Sequence, residues 1–187
     1  ETPNILRKLS KKYQKLKIIS RVKNAGGGKS GALNDALRLT SGEWVLILDA
    51  DAQLRNDTLI KLLNYALRGK WSAVQLRKSV INERQNLLTQ CQSIEMVMDA
   101  FFQIGRLSAG GVSELRGNGQ LINKKILIES GSFNEDTVTD DLDLSVRLLL
   151  FGSEIGILWD PAVMEEAVET LPALFAQRQR WAEGGLQ

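Results

Sequence analysis

The sequence contains no histidine, one cysteine (Cys91), three prolines and few aromatic residues, 6% of the chain. Without histidine there is no Ser-His or Cys-His couple, no imidazole base and none of the commonest zinc ligand, so a catalytic base has to be a carboxylate, a lysine or a tyrosine. One cysteine excludes a disulfide framework and a thiolate metal cluster, and its place among apolar residues at helical spacing fits a reducing, cytosolic setting. No apolar run approaches the roughly 20 residues that span a bilayer, and Glu-Thr-Pro-Asn at the start is not a secretion signal, so the chain as given reads as soluble and cytoplasmic. An excess of one charge is also missing. The 24 basic and 22 acidic residues give a formal charge of +2, far from the basic surplus of a dedicated nucleic-acid binder, and nucleic acid is not an expected partner.

What is present is enough apolar material for one sizeable core: 43% of 187 residues are hydrophobic, with no repeat, linker or composition shift to mark a boundary. Periodicity predicts a lysine-rich helix over 4–17, then a short strand from Leu16 to Val22 that runs into the glycine-rich Asn24-Ala25-Gly26-Gly27-Gly28. A helix from Ser30 to about Gly42 precedes the continuous apolar run Trp44 to Leu48, which suits a central parallel strand. Further on, a helix is expected over Asp57–Leu67, a strand over Ala73–Val80, and a long amphipathic helix over Arg84–Ile104 with Leu87, Leu88, Cys91, Ile94, Met98 and Phe101 on its apolar stripe. A strand through Ile122, a turn at Gly131, a helix from Asp140 to Phe151, a strand over Ile155–Leu158 and a helix after Pro172 complete the pattern. The alternation implies an α/β fold.

Three constellations carry possible chemistry. Asp49-Ala50-Asp51 stands just beyond the carboxyl end of an expected strand, where open α/β sheets bind ligands, and carboxylates two apart can turn toward a hard cation such as Mg²⁺ or Mn²⁺. The same pair also serves to begin a turn or cap the next helix. Thr139-Asp140-Asp141-Leu142-Asp143 opens a helix, where acids are ordinary capping residues, yet a carboxylate aimed into a cleft there can take a proton from a hydroxyl. On the last helix, Gln177, Arg180 and Trp181 share one face, offering an amide, a cation and a ring together, or merely a solvated basic end with one buried ring. Gly26-Gly27-Gly28-Lys29-Ser30-Gly31 is not a Walker phosphate loop, because Lys23 stands where the first glycine is required, and its contiguous glycines do not match the dinucleotide fingerprint.

In order along the chain, Gly28-Lys29-Ser30-Gly31-Ala32-Leu33-Asn34, Asp49-Ala50-Asp51, Gly117-Asn118-Gly119, Thr139-Asp140-Asp141 and Gln177-x-x-Arg180-Trp181 resemble the family 2 glycosyltransferases, especially processive cellulose, hyaluronan and poly-N-acetylglucosamine synthases. The resemblance implies a GT-A fold, a Rossmann-like, mostly parallel sheet flanked by helices. It implies that Asp51, with Asp49, holds a Mg²⁺ or Mn²⁺ ion on the diphosphate of a UDP-sugar, that Lys29 contacts the nucleotide, and that Arg180 lies beside the diphosphate. Asp141 is then the base that deprotonates the acceptor hydroxyl, with Asp140 in place of the more usual glutamate. Gly117, Asn118, Gly119, Asp140, Gln177 and Trp181 line the acceptor side. Arg116 has no assignment.

Family members begin with two further strands, one of them central, and this sequence starts after them. They also carry transmembrane helices outside the region seen here. The chain therefore resembles part of an inverting transferase acting on a carbohydrate or glycolipid acceptor at the cytoplasmic face of a membrane, and open strand edges and self-association are expected of it alone. A non-catalytic sugar-binding module and a metal-dependent phosphotransferase are the alternatives.

Overall fold

The computed structural model describes residues 1–186, in which helices and strands alternate: α1 (Thr2–Lys12), α2 (Gly28–Leu39), β1 (Trp44–Ile47), α3 (Thr58–Gly69), β2 (Ala73–Val80), α4 (Leu87–Ser108), β3 (Gln120–Asn123), α5 (Lys124–Glu129), α6 (Asp140–Leu150), β4 (Ile155–Glu165) and α7 (Leu171–Gly185). The strands form one sheet in the order β1-β3-β2-β4. β3 pairs antiparallel with both β1 and β2, while β2 and β4 are parallel. Three of the four strands thus share a direction, as expected of the α/β fold, and β3 runs against them between β1 and β2.

Burial on both faces explains the apolar strands. Val45 and Ile47 of β1, Ala73 of β2, Ile122 of β3 and Ile155 of β4 join Leu37, Leu127, Leu144 and Leu148 in a core under α2, α5 and α6. The alternate positions Trp44, Leu46, Val74, Leu76 and Leu121 pack with Leu62 and Ala66 of α3 on the other face. Successive side chains of a strand point to opposite faces, so a strand covered on both sides reads as an unbroken apolar run. The run at 44–48 reflects this double cover and not a central place: among the described residues β1 lies at an edge, hydrogen-bonded to β3 alone.

Two other expectations differ. Residues 16–22 form no strand, since nothing among the described residues pairs with them, and their backbone groups find partners only in local turns, such as Leu16 N–H to Tyr13 O and Ala25 N–H to Val22 O. The first helix correspondingly stops at Lys12.

The long helix also turns the other way round. Its apolar stripe faces solvent, with Ile94 60% and Phe101 68% exposed and Cys91 exposed as well, whereas Thr89, Gln92, Ser93, Ala100 and Gln103 are buried. The polar face goes inward because its cap residues and its amides have partners. Asn86 and Thr89 form a capping box, Gln92 donates to Val168 O at 2.8 Å, and Gln103 accepts from Glu114 N–H at 2.9 Å. Hydrogen-bonded amides can be buried at little net cost, which an apolar-periodicity rule does not anticipate.

Candidate active site

The site is assembled from four loops at the ends of strands and helices. The glycine-rich loop comes first. Its residues Gly26, Gly27 and Gly28 all have positive φ, conformations that favour glycine. The Arg21 guanidinium secures the loop by donating to Gly26 O at 2.9 Å and to Asp35 at 2.9 Å. α2 begins at Gly28, two residues ahead of the expected Ser30, which puts Lys29 in its first turn.

From there the Lys29 ammonium donates to Asp49 Oδ1 at 2.7 Å and to Gly117 O at 3.0 Å. Three segments far apart in sequence meet at this one cation. The Asp49 loop, which follows β1, is pinned from two sides: Asp49 N–H donates to Asn118 Oδ1 at 3.1 Å, and Gln53 exchanges both backbone hydrogen bonds with Met164 of β4, at 2.9 and 3.0 Å. Asp51 lies exposed, its Oδ2 accepting from Glu166 N–H at 3.4 Å. The fold puts Lys29 beside Asp49.

Gly117 and Gly119 both adopt positive φ, and each is hemmed in. A Cβ on Gly119 would lie 2.6 Å from Val163 Cγ1, and one on Gly117 would lie 3.2 Å from Asp141 Oδ2. The turn therefore links the Lys29–Asp49 pair to the start of α6.

α6 opens with Asp140, Asp141 and Asp143 in its first turn, but the three acids do different things. Asp143 is structural, held by Arg147 at 2.6 Å and by Asn134 at 3.3 Å. Asp141 lies against the Gly117 turn, and its backbone carbonyl accepts from Ser145 Oγ, which in turn accepts from Leu115 N–H at 2.8 Å. Burial pushes the Asp140 carboxyl above the usual aspartate value. The Lys29 ammonium opposes that shift, while the carboxylates of Asp141 and Asp49 reinforce it.

A raised carboxyl pKa makes ionisation costly in the folded state. The stability associated with protonated Asp140 is full below the unfolded value of 3.8 and is lost as pH rises through the folded one. Asp140→Asn is accordingly expected to melt at a higher temperature than the parent at neutral pH and to lose that advantage below 3.8, read by thermal denaturation across pH. An advantage independent of pH would show that Asp140 is not desolvated among these charges.

α7 reaches the same neighbourhood through its carboxyl end, where buried Gly184 sits so close to Thr139, just before α6, that a Cβ would meet Thr139 Oγ1 at 2.6 Å. Trp181 is half-buried one turn earlier, with the Arg178 guanidinium 4.2 Å from its ring centre. Arg178 also bridges to Glu95 of α4 at 2.6 Å. Gln177 is half-buried and Arg180 exposed, and neither makes a side-chain hydrogen bond among the described residues. The structure thus brings Lys29, Asp49, Gly117, Asp140 and Asp141 together and sets Gln177, Arg180 and Trp181 on an adjoining helix.

Asn118 differs from its expected place on the acceptor side. It is 0% exposed, with its oxygen on Asp49 N–H and its amide on Glu165 at 2.8 Å, so no surface of it is left for an acceptor. Arg116 gains an assignment: it is held by Asp99 of α4 at 2.7 Å and by Glu114 at 2.7 Å. Burial works against ionisation of Asp99, but the Arg116 guanidinium outweighs it and holds the carboxyl below its usual value. Sequence reasoning passed over Gln75, Asp99 and Glu165. The available signal was a lone amide at a core position of the apolar strand β2.

Asp49 and Asp51 offer oxygen donors of the kind that hard divalent cations prefer. The Lys29 ammonium on Asp49 Oδ1 shows that this carboxylate already accommodates a cation. Among the described residues no cluster of three or more ligating side chains occurs, so any metal here would complete its coordination with phosphate oxygens and water.

The model of the family described as "Glycosyltransferase like family 2" matches residues 1–184. The chain belongs to glycosyltransferase family 2. Among family 2 relatives, the beta-monoglucosyldiacylglycerol synthase of Trichormus variabilis is 49% identical over 187 residues, which is 100% of this chain and 40% of the relative. The poly-beta-1,6-N-acetyl-D-glucosamine synthase of Staphylococcus epidermidis is 30% identical over 162 residues, 84% of this chain and 39% of the relative. The family 2 chain thus spans about two fifths of the length of these curated relatives.

Solved structures share the fold. The mannosyltransferase PcManGT of Pyrobaculum calidifontis, in complex with GDP-Man and Mn²⁺, superposes with a TM-score of 0.76 at 23% identity over 100% of this chain and 49% of its own. TarS of S. aureus, in complex with UDP-GlcNAc, gives 0.60 at 18% identity over 88% of this chain and 46% of its own. Among the described residues no helix is long and apolar enough to cross a membrane.

Proposed function

We propose that residues 1–187 are part of a single catalytic domain of an inverting glycosyltransferase that moves a hexose or N-acetylhexosamine from a UDP-sugar to an acceptor hydroxyl. The observation that carries this reading is the meeting of Lys29, Asp49, Gly117 and Asp141 within one cluster. A cation and a carboxylate lie on one side for a diphosphate, and a second carboxylate lies beside them for a hydroxyl. A binding module needs no such base, and a phosphotransferase built on Asp49 and Asp51 leaves the adjoining Trp181 helix without a role.

In this mechanism Asp141 takes the acceptor proton, and the oxygen attacks the anomeric carbon as the bond to the diphosphate breaks on the opposite side, inverting the configuration. Lys29 and Arg180 offset the charge that develops on the leaving UDP. A Mg²⁺ or Mn²⁺ ion held through Asp51 and Asp49 would add electrostatic stabilisation of the same diphosphate. Trp181, half-buried one turn before Gly184, offers a ring face for a sugar to stack on. The name of the 49% identical relative supports glucose as the sugar and a diacylglycerol-type lipid as the acceptor, and the family resemblance supports the cytoplasmic face of a membrane as the place of reaction.

Calorimetric titration with UDP, in the presence and absence of Mn²⁺, tests the donor half of the reading. Binding that depends on Mn²⁺ is expected, and Asp51→Asn is expected to weaken it by at least ten-fold while leaving the fold intact, because Asp51 is exposed and its carboxylate holds only one, long, hydrogen bond among the described residues. Equal binding by parent and variant would remove Asp51 from the donor site.

A further inference from the structure

Gln75 is an anomaly in its strand. It occupies a core position of β2, between β3 and β4 in the sheet, and is 1% exposed, yet it carries an amide where an aliphatic side chain of similar volume would fill the space without desolvating polar atoms. Every polar atom it has is used. Its Nε2 donates to Asn118 O at 2.8 Å and to Leu76 O at 2.7 Å, and its Oε1 accepts from Arg116 N–H at 2.7 Å. Gln75 therefore grips the backbone of the 116–118 turn at both ends.

Asn118 carries the grip onward. Its Oδ1 accepts from Asp49 N–H at 3.1 Å and its Nδ2 donates to Glu165 Oε2 at 2.8 Å, while Glu165 is fixed in turn by Lys78 at 3.2 Å. The same turn presents Gly117 O to Lys29 and lies against the carboxyl of Asp141. The spacing between the Asp49 loop and Asp141 thus runs through two buried amides.

We infer that Gln75 and Asn118 are positioning residues that hold the Asp49 loop and the Gly117 turn in register, so that carboxylates from separate segments act on one donor. The inference rests on the donor-site reading above and adds residues that touch neither donor nor acceptor. A buried amide with all its bonds made costs little, but each group left unpaired is costly, so the pair tolerates only one arrangement of the turn.

The test is titration of this chain with UDP and Mn²⁺, with thermal melting measured on the same samples. Gln75→Leu removes all three side-chain hydrogen bonds at similar volume. Asn118→Asp keeps an oxygen for Asp49 N–H but sets a carboxylate against Glu165. Leu62→Ala, a cavity on the α3 face of the sheet, serves as a control for stability loss alone. Both amide variants are expected to bind UDP–Mn²⁺ at least ten-fold more weakly while folded. Gln75→Glu, which keeps the acceptor for Arg116 N–H, is expected to fall between them and the parent, and it carries the test with Asn118→Asp if Gln75→Leu does not fold. Leu62→Ala is expected to melt earlier yet bind as the parent does.

Parental affinity in the folded amide variants would overturn the inference, as would an equal loss in Leu62→Ala, since affinity would then simply follow stability. Absence of UDP–Mn²⁺ binding by the parent chain is a different result, which would remove the donor-site reading and this inference together.

Discussion

Asp141→Asn is expected to abolish sugar transfer, by roughly 10²–10⁴-fold or more, the range a positioned general base contributes, while UDP–Mn²⁺ binding stays within a few-fold of the parent. Three neighbouring acids could fill the role, and the geometry favours Asp141. Asp143 is consumed by Arg147 and Asn134. Asp140 is half-buried among the charges of Lys29, Asp141 and Asp49, and burial raises its pKa. Asp141 lies at the glycine turn, close enough that any side chain on residue 117 would crowd its carboxyl. Transfer and binding, measured on the protein as encoded by its gene, separate its two possible roles. Loss of transfer with binding kept identifies a group that acts on the hydroxyl, and loss of both identifies a donor ligand. Full transfer by Asp141→Asn would remove it from catalysis. Asp143→Asn is the informative companion: it should lower stability through the loss of Arg147 and leave the chemistry of the folded enzyme in place.

Much of this arrangement was legible in the sequence, and the failures have physical causes. Local signals did well where an element's own residues decide its form. Ala73–Val80 was bounded to the residue, and the acids at 140–143 do open a helix. Strand direction was not legible, because β3 has the same apolar alternation whichever way it runs, and only the paths of its neighbours reverse it. Position in the sheet failed for the same reason at β1, where apolarity reports cover on two faces and says nothing about which strand lies alongside. Residues 16–22 have a strand's composition but no partner strand among the described residues, and an extended segment without a partner makes no ladder. At α4 the pattern was read correctly and its direction wrongly, since Gln92 and Gln103 bury amides that hydrogen bonds satisfy. The site followed a similar division. Residue types and their order pointed to Lys29, Asp49, Asp51 and Asp141, of which the fold brings Lys29, Asp49 and Asp141 to one glycine turn, but only the fold shows that Asn118 faces inward and that Gln75, forty-odd residues away, holds it.

Lys29→Ala is expected to move two affinities in opposite directions, and this is the more discriminating of the donor-site predictions. Lys29 and Asp49 form a pair at 2.7 Å with side chains 39% and 40% exposed. Such an exposed pair contributes only about 0–1 kcal/mol, so breaking it is cheap. The ammonium is therefore free to leave Asp49 for a diphosphate, and its departure uncovers a carboxylate for a divalent cation. Without nucleotide, the lysine competes with Mn²⁺ for Asp49, and its removal leaves Asp49, Asp140 and Asp141 with less opposing charge nearby. Mn²⁺ alone should then bind a few-fold more tightly to Lys29→Ala than to the parent. With nucleotide, the lost charge-assisted hydrogen bond is worth about 1.5–3 kcal/mol, so UDP–Mn²⁺ should bind roughly 10- to 100-fold more weakly. Lys29→Arg, which keeps the charge, should recover part of the nucleotide affinity and suppress the gain for bare Mn²⁺. Weaker binding of both ligands to Lys29→Ala would mean that the lysine merely supports the Asp49 loop. Unchanged binding of both would place the diphosphate away from this end of α2 and would require the donor to approach the cluster from the α7 side.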